Sequence, residues 1–272
     1  MDNIILIRGA GDLASAVIHR LHTCGFKIVA LEIEKPLAIR RNVAFSEAIY
    51  NGEVEVEGVY CKLCNSISQI KDTLKNNKVA LYIDPKGECI KEIKPKVVVD
   101  CILAKKNTGT IKDMADLTIG LGPGFCAGED VHIAIETMRG HNLGRVIRKG
   151  RTIENTGIPG EINGVSKDRV VYSQAKGTIY TNCEIGDIVE KGDIVANIKD
   201  DNGNNHEVIA SISGVLRGII RNGSYVKSNL KILDIDPRIG EVKNSFTISD
   251  KGRNIAGGVL EAILSNKIVP KY

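Results

Sequence analysis

The stretch Ile7-Arg8-Gly9-Ala10-Gly11-Asp12-Leu13-Ala14 constrains the fold more than any other. It sits between an apolar strand candidate, Asn3–Ile7, and a segment, Leu13–Cys24, whose apolar residues Leu13, Val17, Leu21 and Cys24 recur at helical spacing. A Gly-x-Gly-x-x-Ala turn in that position lets the chain reverse tightly from strand into helix. It also exposes the amides and the positive dipole end of the helix to an anion. Gly25 then closes the helix.

The next hundred residues fit a chain built on that unit. Lys27–Ile33, Val79–Ile83, Val97–Asp100 and Leu117–Leu121 read as short β-branched strands, apolar on both faces, as in a parallel sheet covered by helices. Val131–Met138 reads as a further helix, with Val131, Ile135 and Met138 on one side. The expectation is a Rossmann-like α/β domain over residues 1–145, followed by a glycine-rich linker over 146–164.

From about Val165 the pattern changes to short strands broken by Gly, Asn and Asp turns. An internal repeat lies there. Gly177, Gly186 and Gly192 recur as Gly214, Gly223 and Asn229, at a constant offset of 37 residues. Asn shares with Gly a tolerance for positive φ, which explains the last exchange. The pattern Gly-Asp-Ile-Val-Glu-Lys-Gly-Asp-Ile-Val resembles the barrel-sandwich of biotinyl and lipoyl domains. An all-β barrel-sandwich is therefore expected over 165–238. Its hairpin, Lys199–His206, carries Asn202-Gly203 as a turn but no lysine at the tip, so no swinging arm is expected. Residues 239–272 should hold a C-terminal helix, Lys251–Leu264, with Asp250 as its cap.

Composition removes several function classes. The net charge of +4 is dispersed in mixed-sign stretches and Trp is absent, so neither a basic stripe nor an aromatic platform for nucleic acid is present. No apolar run reaches the roughly 20 residues that span a bilayer, and no signal-peptide pattern opens the chain. A cytoplasmic protein with seven cysteines as thiols is the expectation.

The chemistry-bearing residues gather where the strands end. Glu32 and Glu34 stand about 20 residues beyond the glycine turn, where a ribose-binding acid belongs in a dinucleotide site. Asp12 repels a phosphate there. It serves either as a helix cap or as a contact to a ribose, a pterin or a cation. Arg40 and Arg41, Lys105 and Lys106, and the loop holding Gly122, Gly124, Phe125 and Cys126 follow other strand ends, so they are expected to converge with Gly9, Ala10 and Gly11 on one anionic ligand. Phe125 would wall the pocket. Cys126 is either a soft contact at a helix start or a small buried side chain. Cys61-Lys62-Leu63-Cys64 lacks a second pair of ligands, so no metal site is expected.

A longer likeness joins these pieces. Arg8–Leu21, Leu31–Ala48, Val98–Asn107, Gly120–Asp130, Glu136–His141, Asn155–Glu161, Ile212–Arg221, Asp234–Arg238 and Phe246–Leu264 resemble the YqeB family, proteins that accompany selenium-dependent molybdenum hydroxylases. The first part is similar to XdhC and CoxI proteins, accessory factors that bind the molybdenum cofactor. The resemblance implies a non-catalytic maturation factor that binds molybdopterin or its cytosine dinucleotide form. It implies a hydroxylase apoenzyme or other maturation proteins as partners. Two alternatives stay open: a dinucleotide enzyme using NAD(P), and a docking protein without chemistry.

Overall fold

The computed structural model describes residues 3–155, 157 and 163–270. Within the linker expected at 146–164, residues 156 and 158–162 lie outside this range, as does part of the Asn155–Glu161 likeness. The chain divides into two compact units, one made of residues 1–36, 44–156 and 248–272, the other of residues 37–43 and 157–247.

The first unit contains β1 (Ile5–Arg8), α1 (Asp12–Thr23), β2 (Ile28–Glu32), α2 (Ala48–Asn51), β3 (Glu53–Val56), β4 (Val59–Cys64) and α3 (Ile67–Lys75). It continues with β5 (Val79–Ile83), α4 (Ile90–Ile93), β6 (Val97–Asp100), β7 (Leu117–Leu121), β8 (Cys126–Ala127), β9 (Ile133–Ile135), β10 (Val146–Ile147) and β11 (Gly150–Arg151). Nine of its strands form one sheet in the order β10-β9-β7-β6-β1-β2-β5-β4-β3. The inner pairs run parallel and the edge pairs, β3 with β4 and β9 with β10, run antiparallel. Ile4, Leu6, Val29, Leu31, Ala80 and Val98 pack with Ile70, Leu74 and Ile90 from α3 and α4. The alternate residues Ile5, Ile7, Ile28 and Ala30 are equally buried, so both faces of the central strands are covered.

The second unit holds β12 (Val170–Tyr172), β13 (Gly177–Thr181), β14 (Ile188–Val189), β15 (Ile194–Asp200), β16 (Asn205–Ile209), β17 (Gly214–Ile219), β18 (Tyr225–Val226) and β19 (Lys231–Asp236). They form two antiparallel four-stranded sheets, β12-β19-β17-β14 and β16-β15-β13-β18. One core, with Ile179, Ile198, Leu216, Ile219, Val226 and Leu233, is drawn from both. The 37-residue repeat is a backbone repeat. Gly177 opens β13 and Gly214 opens β17, and a Cβ on either would lie 2.2 Å from a carbonyl oxygen, that of Lys199 or of Asp236. Asn229 takes φ +59° where Gly192 takes +102°. The hairpin of β15 and β16 turns through Gly203 at φ +88°.

These observations correct the expected pairing of a Rossmann-like domain with a biotinyl/lipoyl-type barrel-sandwich. The large sheet is mixed, with an antiparallel strand at each edge, and the remaining four-stranded sheets are antiparallel throughout. Local turn and glycine patterns do not determine a whole topology, because such patterns recur across unrelated architectures. The helix expected at Val131–Met138 is also corrected. Val131, Ile133, Ala134 and Ile135 are buried in and around β9, which pairs parallel with β7. A short apolar run buried on both faces carries no usable period.

Helix α5 (Asp250–Ser265) belongs to the first unit. Its cap is Ser249, one residue before the expected Asp250, and the Ser249 hydroxyl accepts the Gly252 amide at 3.1 Å. Among the described residues, no helix is long and apolar enough to cross a membrane. All seven cysteines are free thiols.

Candidate functional site

Because β1, β2, β5, β6, β7 and β9 run parallel, the turns that follow them leave the sheet at one edge. Two glycines shape the first of these turns. Gly9, at φ +96°, runs against the exit of β6, where a Cβ would stand 3.1 Å from the Cys101 carbonyl oxygen. Gly11 has the opposite environment. Apart from its two chain neighbours, no described residue has an atom within 4 Å of where its Cβ would be, and it caps α1 without a side-chain hydrogen bond. Asp12 Oδ1 accepts the next amide, Leu13 N, at 2.8 Å, which makes it a local first-turn acceptor.

Glu32 sits against this turn. Its Oε2 accepts from Ala10 N at 2.8 Å and its Oε1 from Ile33 N at 2.8 Å. Burial pushes its carboxyl up, and the two amides pull the other way. In a dinucleotide site the acid holds a ribose and the turn amide faces a phosphate. Here the two satisfy each other. Beside them Ser46 donates its amide to Ala10 O at 2.9 Å, while its hydroxyl is fully buried with no hydrogen-bond partner among the described residues.

A polar network that the sequence pattern does not reveal supports the edge from below. Arg8 is 3% exposed and Asp100 1%. The Arg8 guanidinium reaches Asp100 Oδ2 at 3.4 Å and the Pro85 carbonyl at 3.2 Å, and it also donates to the Thr110 hydroxyl. Thr110 donates in turn to Asp100 Oδ2 at 2.6 Å. Asp84 receives the amides of Gly87 and Cys89 at 2.9 and 2.8 Å. Burial would raise its pKa, but amides from Cys89, Glu88 and Gly87 hold it below the usual carboxylate range. The available signal is positional, because Arg8 and Asp100 are the last residues of otherwise apolar adjacent strands.

The loops after β6 and β7 lie together. A Cβ on Gly124 would meet the Lys106 Cα at 2.5 Å, and one on Gly122 would meet Thr137 Oγ1 at 2.5 Å. Lys105, exposed and at φ +63°, is beside Lys106 in the same loop. Thus Gly9–Asp12, Glu32, Lys105, Lys106, Gly122 and Gly124 share one edge of the sheet. Ile33, Ile83 and Ile102, at the ends of β2, β5 and β6, add exposed apolar surface there.

Other expected members stand elsewhere. Phe125 is buried in a small core with Ala127, Val131 and Ala134, so it is not a pocket wall. Cys126 lies in β8, paired with β11, and no helix follows it. Burial and the neighbouring Glu129 raise its thiol pKa, the reverse of a thiolate site. Arg40 and Arg41 belong to the second unit. Arg40 donates to the carbonyls of Asn244 and Thr247 at 3.0 and 2.8 Å, and Arg41 to that of Ile219 at 2.9 Å. Glu34 is exposed beyond β2. Cys61 and Cys64 are both buried in β4, and burial raises both thiols.

No family model matches the chain. It is 46% identical over 261 residues, 96% of its length, to "Uncharacterized protein YqeB" of Escherichia coli (strain K12), and this supports the YqeB family. The match covers 47% of that protein, so the chain spans about half the length of its curated relative. Among solved structures it is similar to apo EutE (DoeB), an ectoine utilization protein from Ruegeria pomeroyi. That match has 9% identity and a TM-score of 0.28, covering 86% of each chain. It is also similar to an aspartoacylase family protein from Mesorhizobium loti, with 12% identity, a TM-score of 0.28, and coverage of 88% of this chain and 86% of that one. A succinylglutamate desuccinylase/aspartoacylase from Rhodobacter sphaeroides gives 11% identity and a TM-score of 0.29, with coverage of 87% and 86%. Likenesses this distant carry no argument about fold or function.

Proposed function

We propose, with the YqeB family as premise, that this chain is an accessory factor for a molybdenum hydroxylase and binds the molybdenum cofactor as cargo at the Gly9–Asp12 edge. The XdhC and CoxI resemblance supplies the ligand class. The observation that carries the placement is Gly11, a helix cap with open space where its side chain would be, at the ligand-bearing end of a largely parallel sheet. Such a turn admits a phosphoryl group at backbone distance. The lysines of the 105–106 loop add positive charge, and Ile33, Ile83 and Ile102 offer apolar surface to a flat ring. The bond from Ala10 occupies Glu32, the acid that would hold the ribose of NAD(P), and so favours a ligand without a ribose at this position.

Calorimetric titration of the full chain with isolated molybdopterin cofactor tests the reading. Binding is expected in the wild type. Gly11→Asp adds a carboxylate at the open position and should weaken it about tenfold or more. Unchanged affinity in Gly11→Asp removes the site from this edge, and absence of binding in the wild type removes the ligand.

A further inference from the structure

Asp12 poses a difficulty for any phosphate at this turn, since its carboxylate stands in the first turn of α1. The structure holds a compensating charge. A Cβ on Gly252 would lie 2.8 Å from the Ala16 Cβ, so the first turn of α5 rests directly on α1. Lys251, one residue earlier, is half-buried there, within electrostatic reach of Asp12, Glu136, Asp250 and Arg139.

The neighbouring acids are committed to other partners. Glu136 accepts three backbone amides, from Thr137, Met138 and Ile153, each at 2.7 Å. Asp250 is held by both Arg139 terminal nitrogens, at 2.8 and 3.1 Å. Asp12 Oδ1 takes the Leu13 amide. The Lys251 ammonium has no hydrogen bond or ion pair of its own among the described residues. Burial and Arg139 lower its pKa against the pull of the three carboxylates. A partly desolvated ammonium with no direct partner is costly, and such groups concentrate where a ligand completes them.

We propose that Lys251 is an anion-binding residue of the Gly9–Asp12 site and receives a phosphoryl group of the ligand, offsetting the Asp12 carboxylate. This rests on the placement proposed above but not on the identity of the cofactor. A phosphate-bearing aldehyde, pyridoxal 5′-phosphate, reports on it in the intact chain. The lysine amine forms an imine as the aldehyde oxygen leaves as water, and borohydride supplies the hydride that fixes the product as an amine. Peptide mapping then gives the site.

Near neutral pH, Lys251 should be labelled faster than the exposed Lys191, and inorganic pyrophosphate should slow its labelling about fivefold or more without affecting Lys191. By calorimetry, Lys251→Met should weaken pyrophosphate about tenfold while Lys251→Arg stays within about threefold of wild type. Labelling of Lys251 no faster than Lys191, labelling that pyrophosphate does not slow, or unchanged pyrophosphate affinity in Lys251→Met each overturns the assignment. If the molybdenum cofactor fails to bind yet pyrophosphate protects Lys251, the proposed cargo is wrong and this residue's role stands. If the cofactor binds with its Gly11 dependence and Lys251 is unprotected, the outcome is reversed.

Discussion

In the second unit the glycines that open β13 and β17 are closed in by backbone, each with a carbonyl oxygen 2.2 Å from the absent Cβ. At the edge of the first unit, Gly9 is closed in likewise by Cys101, but Gly11 faces open space. The same residue type thus does two kinds of work. Where a carbonyl fills the missing side chain, glycine permits packing. Where nothing fills it, glycine leaves room for something that arrives later. Glycine patterning in a sequence reports that a side chain must be absent, and only the surroundings say why.

The comparison is broken most severely by removing the charge beneath the open edge. Asp100→Ala leaves Arg8 buried with a hydroxyl and a carbonyl but no carboxylate, and should cost about 3–5 kcal/mol in urea unfolding. A loss below about 1 kcal/mol would show that Thr110 and Pro85 suffice. Next in size is a matched pair of substitutions. Gly214→Ala drives a Cβ into the Asp236 carbonyl and should cost about 3 kcal/mol. Gly11→Ala meets no described residue beyond its chain neighbours and loses only glycine's advantage as a cap, about 1 kcal/mol at most. Similar losses at the two positions would erase the distinction drawn between them.

The smallest effect concerns pH. Asp236 in the second unit is buried, which alone would raise its pKa, but Arg238 reaches it at 2.9 Å through Nε and 2.7 Å through Nη2 and holds it low. A lowered carboxylate contributes stability that is present above its unfolded pKa and lost as pH falls through the folded one. Arg238→Gln should move the onset of acid unfolding to higher pH and cost about 1–2 kcal/mol near neutrality. Glu32 in the first unit has the opposite sign. Its raised pKa gives a contribution that is full at low pH and lost as pH rises through the folded value. Circular dichroism across an acid titration checks the shift, and an unmoved onset in Arg238→Gln would mean that Asp236 is held by other groups.

How much the sequence shows depends on how each signal arises. The strands at Val79–Ile83, Val97–Asp100 and Leu117–Leu121 are legible to the residue, because β-branched runs bounded by turn residues have few alternatives. Helix α1 is legible from its spacing and from Gly25 behind it. Val131–Ile135 is not, since burial on both faces erases the period that separates strand from helix. Within the site, Gly9–Gly11 and Gly122–Gly124 are readable as turns after parallel strands. Lys251 is not, because it comes within electrostatic reach of Asp12 only through the packing of α5 on α1, across more than 200 residues of chain. Arg40 looks like a ligand residue in sequence only because two carbonyls that occupy it, from Asn244 and Thr247, lie equally far away.

The brief passage of residues 37–43 into the second unit has a consequence for biosynthesis. Ile39 lies so close to Gly218 that a Cβ there would meet it at 2.7 Å, and Arg40 closes on carbonyls near residue 245. The second unit therefore draws on a segment translated long before the rest of it. The first unit in turn waits for α5, translated after residues 157–247. The first unit therefore cannot reach its final state until the second has been translated in full. A fragment limited to residues 165–238 would lack the early segment, so dissecting partner binding calls for point variants of the whole chain and not for halves expressed alone.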